Sequence, residues 1–159
     1  TRRRDKHNIL ATTMAVIFAN ATTYALRAVL YLAIYSSEEK KIGIREVAEK
    51  LDIPYHFLGK ILQQLSRQHV ISSIKGPGGG FYLTDAEKKK PMIQIIDIFE
   101  GSELFKKCGL GLKECSEEKP CPIHNQYKFF REQLHHSMAN QTIEEWATKV
   151  LEGNVAIRL

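Results

Sequence analysis

No apolar run in this sequence approaches the ~20 residues that a membrane-spanning helix requires. Residues 1–13 are basic but lead into no apolar core of the kind a secretory signal carries. Cysteine is scarce. There are three in 159 residues, an odd number, which argues against disulfide stapling and for reduced thiols in the cytoplasm. No Gly-Lys-Ser/Thr follows the glycine run at 78–80, so a nucleotide-binding P-loop is excluded. Also missing are an oxyanion-donor arrangement and a cofactor fingerprint, which leaves little for an enzyme to work with.

What is present is unevenly distributed. Residues 1–90 carry 15 Lys+Arg against 8 Asp+Glu, a balance of +7, whereas residues 91–159 carry 8 against 10, a balance of −2. A basic front and a mildly acidic back suit a polyanion bound at the front. The length fits one compact domain with a small appendage, and 43% hydrophobic content is enough for an ordinary core. Residues 1–13 are expected to be a disordered extension ahead of Met14, native or a remnant of cloning. Residues 14–90 and 91–159 divide the remainder by function.

Apolar spacing predicts a first helix capped by Thr22 or Thr23 and running to about Tyr35. A second covers Ile44 to Leu51 and is broken by Asp52-Ile53-Pro54. A third runs from Pro54 to about His69, with Phe57, Leu58, Ile61, Leu62 and Leu65 on one apolar stripe. His56, Gly59, Lys60, Gln63, Gln64 and Arg67 lie away from it. A short helix, a tight turn and a longer helix with a partly basic face make a helix-turn-helix. Two packed helices with a solvated face would give the same pattern. The next segment adds specificity: a strand over Val70 to Lys75, the turn Gly76-Pro77-Gly78-Gly79-Gly80, and a return strand Phe81-Tyr82-Leu83. A hairpin directly after such a helix is a wing, with Lys75 at its base to reach a minor groove. Pro91 to Glu100 forms a further helix stopped by Gly101.

All the cysteines fall in one stretch, Cys108-x6-Cys115-x5-Cys121-x2-His124. Thiolate and imidazole are the donors that soft or borderline metals select. Zinc sites usually pair ligands two to four residues apart, and no two cysteines here are that close, so zinc is open but second choice. The wide spacing suits a cluster bridged by several loop residues. Solvent-facing thiols with no metal are the bland alternative. Pro122 as first helical residue would put Cys121 at a helix N-cap, where the dipole favours a thiolate. Cys121 and His124 could also form a nucleophile pair, but no third group orients them.

From Pro122 to about Asn140 runs a long amphipathic helix on which Ile123, Tyr127, Phe130, Leu134 and Met138 recur at coiled-coil-like spacing. Intramolecular packing would use the same stripe. Thr142-Ile-Glu-Glu145 is a capping box that opens a short last helix.

In combination, Tyr24-Ala25-Leu26-Arg27-Ala28, Ile53-Pro54-x-x-Phe57-Leu58-x-x-Ile61-Leu62 and Ser73-x-Lys75-Gly76-Pro77-Gly78-Gly79-Gly80-Phe81 resemble the Rrf-type bacterial winged-helix transcription regulators, the family of IscR, NsrR and CymR. The resemblance covers roughly residues 18–140. It implies a mainly α fold with a small β-hairpin wing, that is, a winged helix-turn-helix plus a long C-terminal dimerisation helix. It further implies a homodimer on a palindromic double-stranded DNA operator, and no enzyme activity. Carried over by position, His56, Phe57, Gly59 and Lys60 meet bases or backbone; Gln63 and Arg67 on the polar face of the same helix, and Gly76, Gly78 and Gly79 of the wing, are expected to join them on the DNA. Lys75 takes the place of a wing arginine, whose planar guanidinium it lacks. Gly59 replaces a side chain that helps IscR choose between operator classes. IscR-type members bind a 2Fe–2S cluster through three cysteines and a histidine. Cys108, Cys115, Cys121 and His124 match that order, with the first gap one residue longer. NsrR-type members use an aspartate where this chain has Thr23. The alternative within the family is a CymR-type regulator without a cluster, controlled by a partner protein or small effector.

Overall fold

The computed structural model describes residues 18–153; the expected extension at 1–13 and the frayed end after Gly153 lie outside the described residues. The first helix, α1 (Asn20–Tyr35), is the spine of the molecule. Ala25, Ala28, Val29 and Leu32 on it are fully buried, so the second, third, fifth and last helices can pack around it. It begins two to three residues before the expected threonine cap. Thr22 lies inside the helix and is itself fully buried, with its hydroxyl donating to Glu100 Oε1 at 2.7 Å. The same carboxylate oxygen accepts from the Ala19 backbone N–H at 2.6 Å. A carboxylate at a helix N-terminus satisfies orphan donors and suits the dipole. Here that role falls to a residue 78 positions away from Thr22.

The second helix, α2 (Ile44–Leu51), ends at Asp52 in the left-handed conformation (φ 52°), which Asp tolerates better than most residues. Pro54 then precedes α3 (Tyr55–Arg67), whose Leu58, Ile61, Leu62 and Leu65 point inward. Phe57 leaves the expected stripe: it is 63% exposed. One step before Leu58, it sits about 100° round the helix, away from the buried row.

Strands β1 (Ser72–Ile74) and β2 (Gly80–Tyr82) pair antiparallel, with Ser73 opposite Phe81. Ile42 extends the pairing on the far side of β2 through N–H···O bonds with Phe81 of 2.9 and 2.8 Å. That approach needs Gly80: a Cβ there would stand 2.8 Å from the Ile42 carbonyl oxygen. β1 is shorter than expected, with Val70 and Ile71 ahead of it in the core, and β2 keeps the expected length but starts one residue earlier, leaving Leu83 in the core.

A short helix α4 (Asp85–Lys88) follows, closed by a reciprocal capping box between Thr84 and Glu87. The next, α5 (Ile93–Glu100), buries Ile95 and Ile96 and stops at Gly101 with φ 73°. A turn of 3-10 helix (Ser102–Phe105) leads into the cysteine loop, after which come α6 (His124–Asn140) and α7 (Ile143–Leu151). The Thr142–Glu145 capping box forms as expected. Backbone bonds Met92 N–H to Gln141 O and Ile143 N–H to Lys90 O tie the α6–α7 junction to the start of α5. Elements on both sides of residue 90 therefore share one core, in which Met92, Ile95, Ile143 and Ala147 join Leu58 and Leu65. No helix among the described residues is long and apolar enough to cross a membrane.

Candidate metal centre and nucleic-acid interface

The cysteine loop is exposed and irregular, yet its thiols converge. The Sγ atoms of Cys108, Cys115 and Cys121 all lie within 4.8 Å of one another, with Cys108 and Cys121 3.7 Å apart. His124 completes the group, with Nδ1 3.2 Å from Cys115 Sγ. All three cysteines are half-buried and free of disulfides.

Hydrogen bonds from the backbone amides of Leu112 and Leu110 pull the Cys108 thiol down from its ordinary value to about 7. The Leu110 N–H reaches the sulfur at 3.4 Å. Cys115 moves the other way. The Cys121 backbone favours its thiolate, but desolvation and the neighbouring thiols outweigh that and raise its pKa. The Cys108 thiolate is thus favoured near neutral pH, while the Cys115 thiol is held toward its protonated form.

This donor set fits a metal. Two sulfurs bound to one tetrahedral ion at ~2.3 Å stand about 3.8 Å apart, and the 3.7 Å pair matches that separation. A sulfur pair at this separation can be taken by one iron of a cluster or by a lone zinc.

Cys121 does not cap a helix. Ile123 occupies the cap position and α6 starts at His124. The His124 N–H bonds back to the Cys121 carbonyl at 3.0 Å, so residues 121–124 form a turn that folds ligand onto ligand in place of the helical turn Pro122 would have begun.

Two residues that no sequence motif marks, Gly109 and Arg131, hold the loop to α6. Gly109 lies flat on the Tyr127 ring; a Cβ there would be 2.8 Å from Tyr127 Cγ and 3.0 Å from Ile123 Cδ1. Arg131 stacks 5.3 Å above the Tyr127 ring and donates to the Lys107 carbonyl, next to the first ligand. A glycine and an arginine at these spacings carry no local signal of that contact.

Along α6 the expected seam divides. Ile123 and Phe130 are exposed, Tyr127 and Leu134 are half-buried, and Met138 is 3% exposed and belongs to the core of its own chain. Phe129, outside the expected stripe, is the most open at 64%. Only Met138 of this helix is buried.

The front of the molecule presents a different surface. His56, Phe57, Lys60, Gln63 and Arg67 are exposed on α3, and Gly59 is half-buried on the same helix. A Cβ on Gly59 would meet only Ile44 Cδ1, at 4.0 Å, so the fold does not require glycine there. Gln63, Arg67 and Lys75 line one cleft of about 480 Å³ between α3 and the wing. Ser66 and Ser73, hydroxyl to hydroxyl at 2.9 Å, bridge its floor. Gly76 and Gly78 at the wing tip are exposed with positive φ, whereas Gly79 is needed internally: a Cβ would stand 2.2 Å from the Ile74 carbonyl oxygen.

A helix-turn-helix with a glycine-tipped wing, carrying a thiol–imidazole group that could hold a metal, defines a winged-helix protein. Residues 18–149 match the Rrf2 family, described as iron-dependent transcriptional regulators, and the chain belongs to that family. The family is one of transcription regulators, not enzymes. A candidate helix-turn-helix transcriptional regulator of Aquifex aeolicus is 32% identical over 132 residues, covering 82% of this chain and 90% of its own. Among solved structures, CymR, the global cysteine regulator of B. subtilis, superposes with TM-score 0.66 at 19% identity over 84% of this chain and 98% of its own. T. potens IscR gives 0.67 at 18% identity, over 92% and 96%. At these identities the two structures speak to the fold.

Proposed function

We propose that this regulator senses through a 2Fe–2S cluster held by Cys108, Cys115, Cys121 and His124, and reads a palindromic operator as a cytoplasmic homodimer. The observation that carries the reading is the convergence of four soft or borderline donors at the start of α6, a long helix that buries only Met138. The donor order and wide spacing favour a cluster over zinc. When bound, such a cluster supplies a one-electron couple and sensitivity to oxidants; the rest is the work of the chain.

Residues up to 90 act as the reader and residues from 91 as sensor and seam. In the reader, His56, Phe57, Gly59 and Lys60 approach bases or backbone. Gln63, Arg67 and Lys75 close on phosphates across the cleft, while Gly76 and Gly78 let the wing backbone come near the minor groove. In the seam, Ile123, Phe129 and Phe130 leave an apolar strip exposed. A strip of that kind on a soluble protein marks an interaction surface, and a second copy of the helix would cover it. Tyr127 and Arg131 hold the loop against this helix, so loosening of residues 104–120 alters the seam. The spacing of the two recognition helices changes with it, as a population shift.

The test is affinity for an operator obtained by selection from random duplexes, at one fixed salt concentration. Reconstituted protein is compared with the Cys108→Ala/Cys115→Ala/Cys121→Ala variant. At least one operator should differ about tenfold or more, a coupling of ~1.4 kcal/mol. Equal affinity for every operator rejects the switch.

A further inference from the structure

We propose that Glu117 is a positioning residue for this centre: its carboxylate takes the Nε2–H of His124, turns the Nδ1 lone pair toward the thiols, and is itself held by Lys128. The inference rests on the metal-centre reading above. His124 has its two ring nitrogens in different settings. Nδ1 faces Cys115 Sγ at 3.2 Å. Nε2 points the opposite way, is buried, and makes no hydrogen bond. The carboxylate beside it is Glu117, with Oε1 at 3.5 Å. Lys128 Nζ reaches that same oxygen at 2.6 Å.

A ligating imidazole must be neutral, with its lone pair on the donor nitrogen and its proton on the other. Left buried without an acceptor, that N–H is destabilising by about 1–3 kcal/mol. Metal-bound histidines meet this need by donating to a carboxylate, which fixes both tautomer and ring orientation. Here the acceptor stands a few tenths of an ångström beyond hydrogen-bond range. The His124 side chain is 11% exposed and packed in place, whereas that of Glu117 is 63% exposed and free to close the gap by a small torsion.

Lys128 lies four residues after His124, on the same face of α6. Its Nζ bonds the same Glu117 Oε1 that stands beside His124 Nε2. As an exposed ion pair it adds little stability. Its effect is to aim an oxygen. The loop therefore contributes an orienting group as well as thiols, and α6 holds both the histidine and the cation that steadies its partner.

Two measurements on the full chain test this. The first titrates cobalt(II) alone into the reduced protein. Glu117→Ala should bind cobalt about 10–100-fold more weakly than wild type. Its ligand-field bands should move from a three-sulfur, one-nitrogen pattern toward three-sulfur, one-oxygen, with thiolate charge-transfer intensity unchanged. Glu117→Gln keeps an acceptor oxygen and should recover most of the affinity, with Lys128→Ala between the two. The second records long-range proton–nitrogen correlations of His124 without metal. Wild type should show the Nε2–H tautomer, and Glu117→Ala a shift toward Nδ1–H. If wild type takes cobalt and Glu117→Ala matches it in affinity, spectrum and tautomer, the positioning role is overturned and the metal site stands. If wild type takes no cobalt, both fall.

Discussion

Placing a methyl group on Gly109 tests how tightly the cysteine loop is bound to α6. The new Cβ would lie 2.8 Å from Tyr127 Cγ and 3.0 Å from Ile123 Cδ1. The ring is not free to swing aside, because the Arg131 guanidinium covers it and is anchored to the Lys107 carbonyl. Overpacking of this kind costs about 1–3 kcal/mol, or roughly 5- to 150-fold in an equilibrium constant. The element that yields is the loop. Its residues from Lys106 to Pro120 are exposed or half-buried, while the core around α1 is independent of it. Local structures with few buried contacts open at little expense to the whole. Gly109→Ala should therefore lose metal affinity by that factor, measured by cobalt competition against a chelator, with the urea midpoint unchanged. Tyr127→Ala added to it should restore much of the loss, giving a non-additive double-mutant cycle. Wild-type cobalt affinity in Gly109→Ala, or a loss that Tyr127→Ala leaves untouched, would refute the contact.

Three further outcomes follow from the same geometry. Lys75→Ala should weaken binding to all duplex sequences about equally and reduce the slope of log K against log salt by about one, as for loss of a phosphate contact; an unchanged slope removes Lys75 from the interface. Gly59→Ala should raise stability by about 0.5–1 kcal/mol, since a helix interior prefers alanine and the added Cβ meets only Ile44 Cδ1 at 4.0 Å; a lower thermal midpoint in calorimetry would contradict this. In metal-free protein the Cys108 thiolate, favoured by the Leu112 and Leu110 amides, prevails above pH of about 7. Iodoacetamide should label Cys108 first and slow as pH falls through that value, read by peptide mass mapping, because only the thiolate attacks. First labelling at Cys115 would reverse the assignment.

Much of this fold is written locally. The bounds of α2, the break at Asp52-Ile53-Pro54, the glycine wing and the Thr142–Glu145 box are each set by residues within a few positions of one another, so the sequence discloses them. The Thr84–Glu87 box was equally legible from its spacing and opens a helix that periodicity alone overlooks. Other features are tertiary. Thr22 reads as a cap, but Glu100 supplies the acceptor and the helix starts earlier. Periodicity groups Ile123, Tyr127, Phe130, Leu134 and Met138 on one face without saying what covers it, and the core claims Met138. At the candidate metal centre, cysteine is rare enough for spacing alone to gather the three thiols. Glu117 is one of 18 acidic residues, and nothing marks it until the loop brings it beside His124.

Composition of the purified protein bears on the account most directly. Isolated anaerobically and analysed for iron, acid-labile sulfide and zinc, the chain should be brown, show thiolate–iron charge-transfer bands, and carry about two iron and two sulfide per polypeptide. A colourless sample with stoichiometric zinc, or with all three elements at background, would contradict the cluster and leave a winged-helix regulator governed by something else.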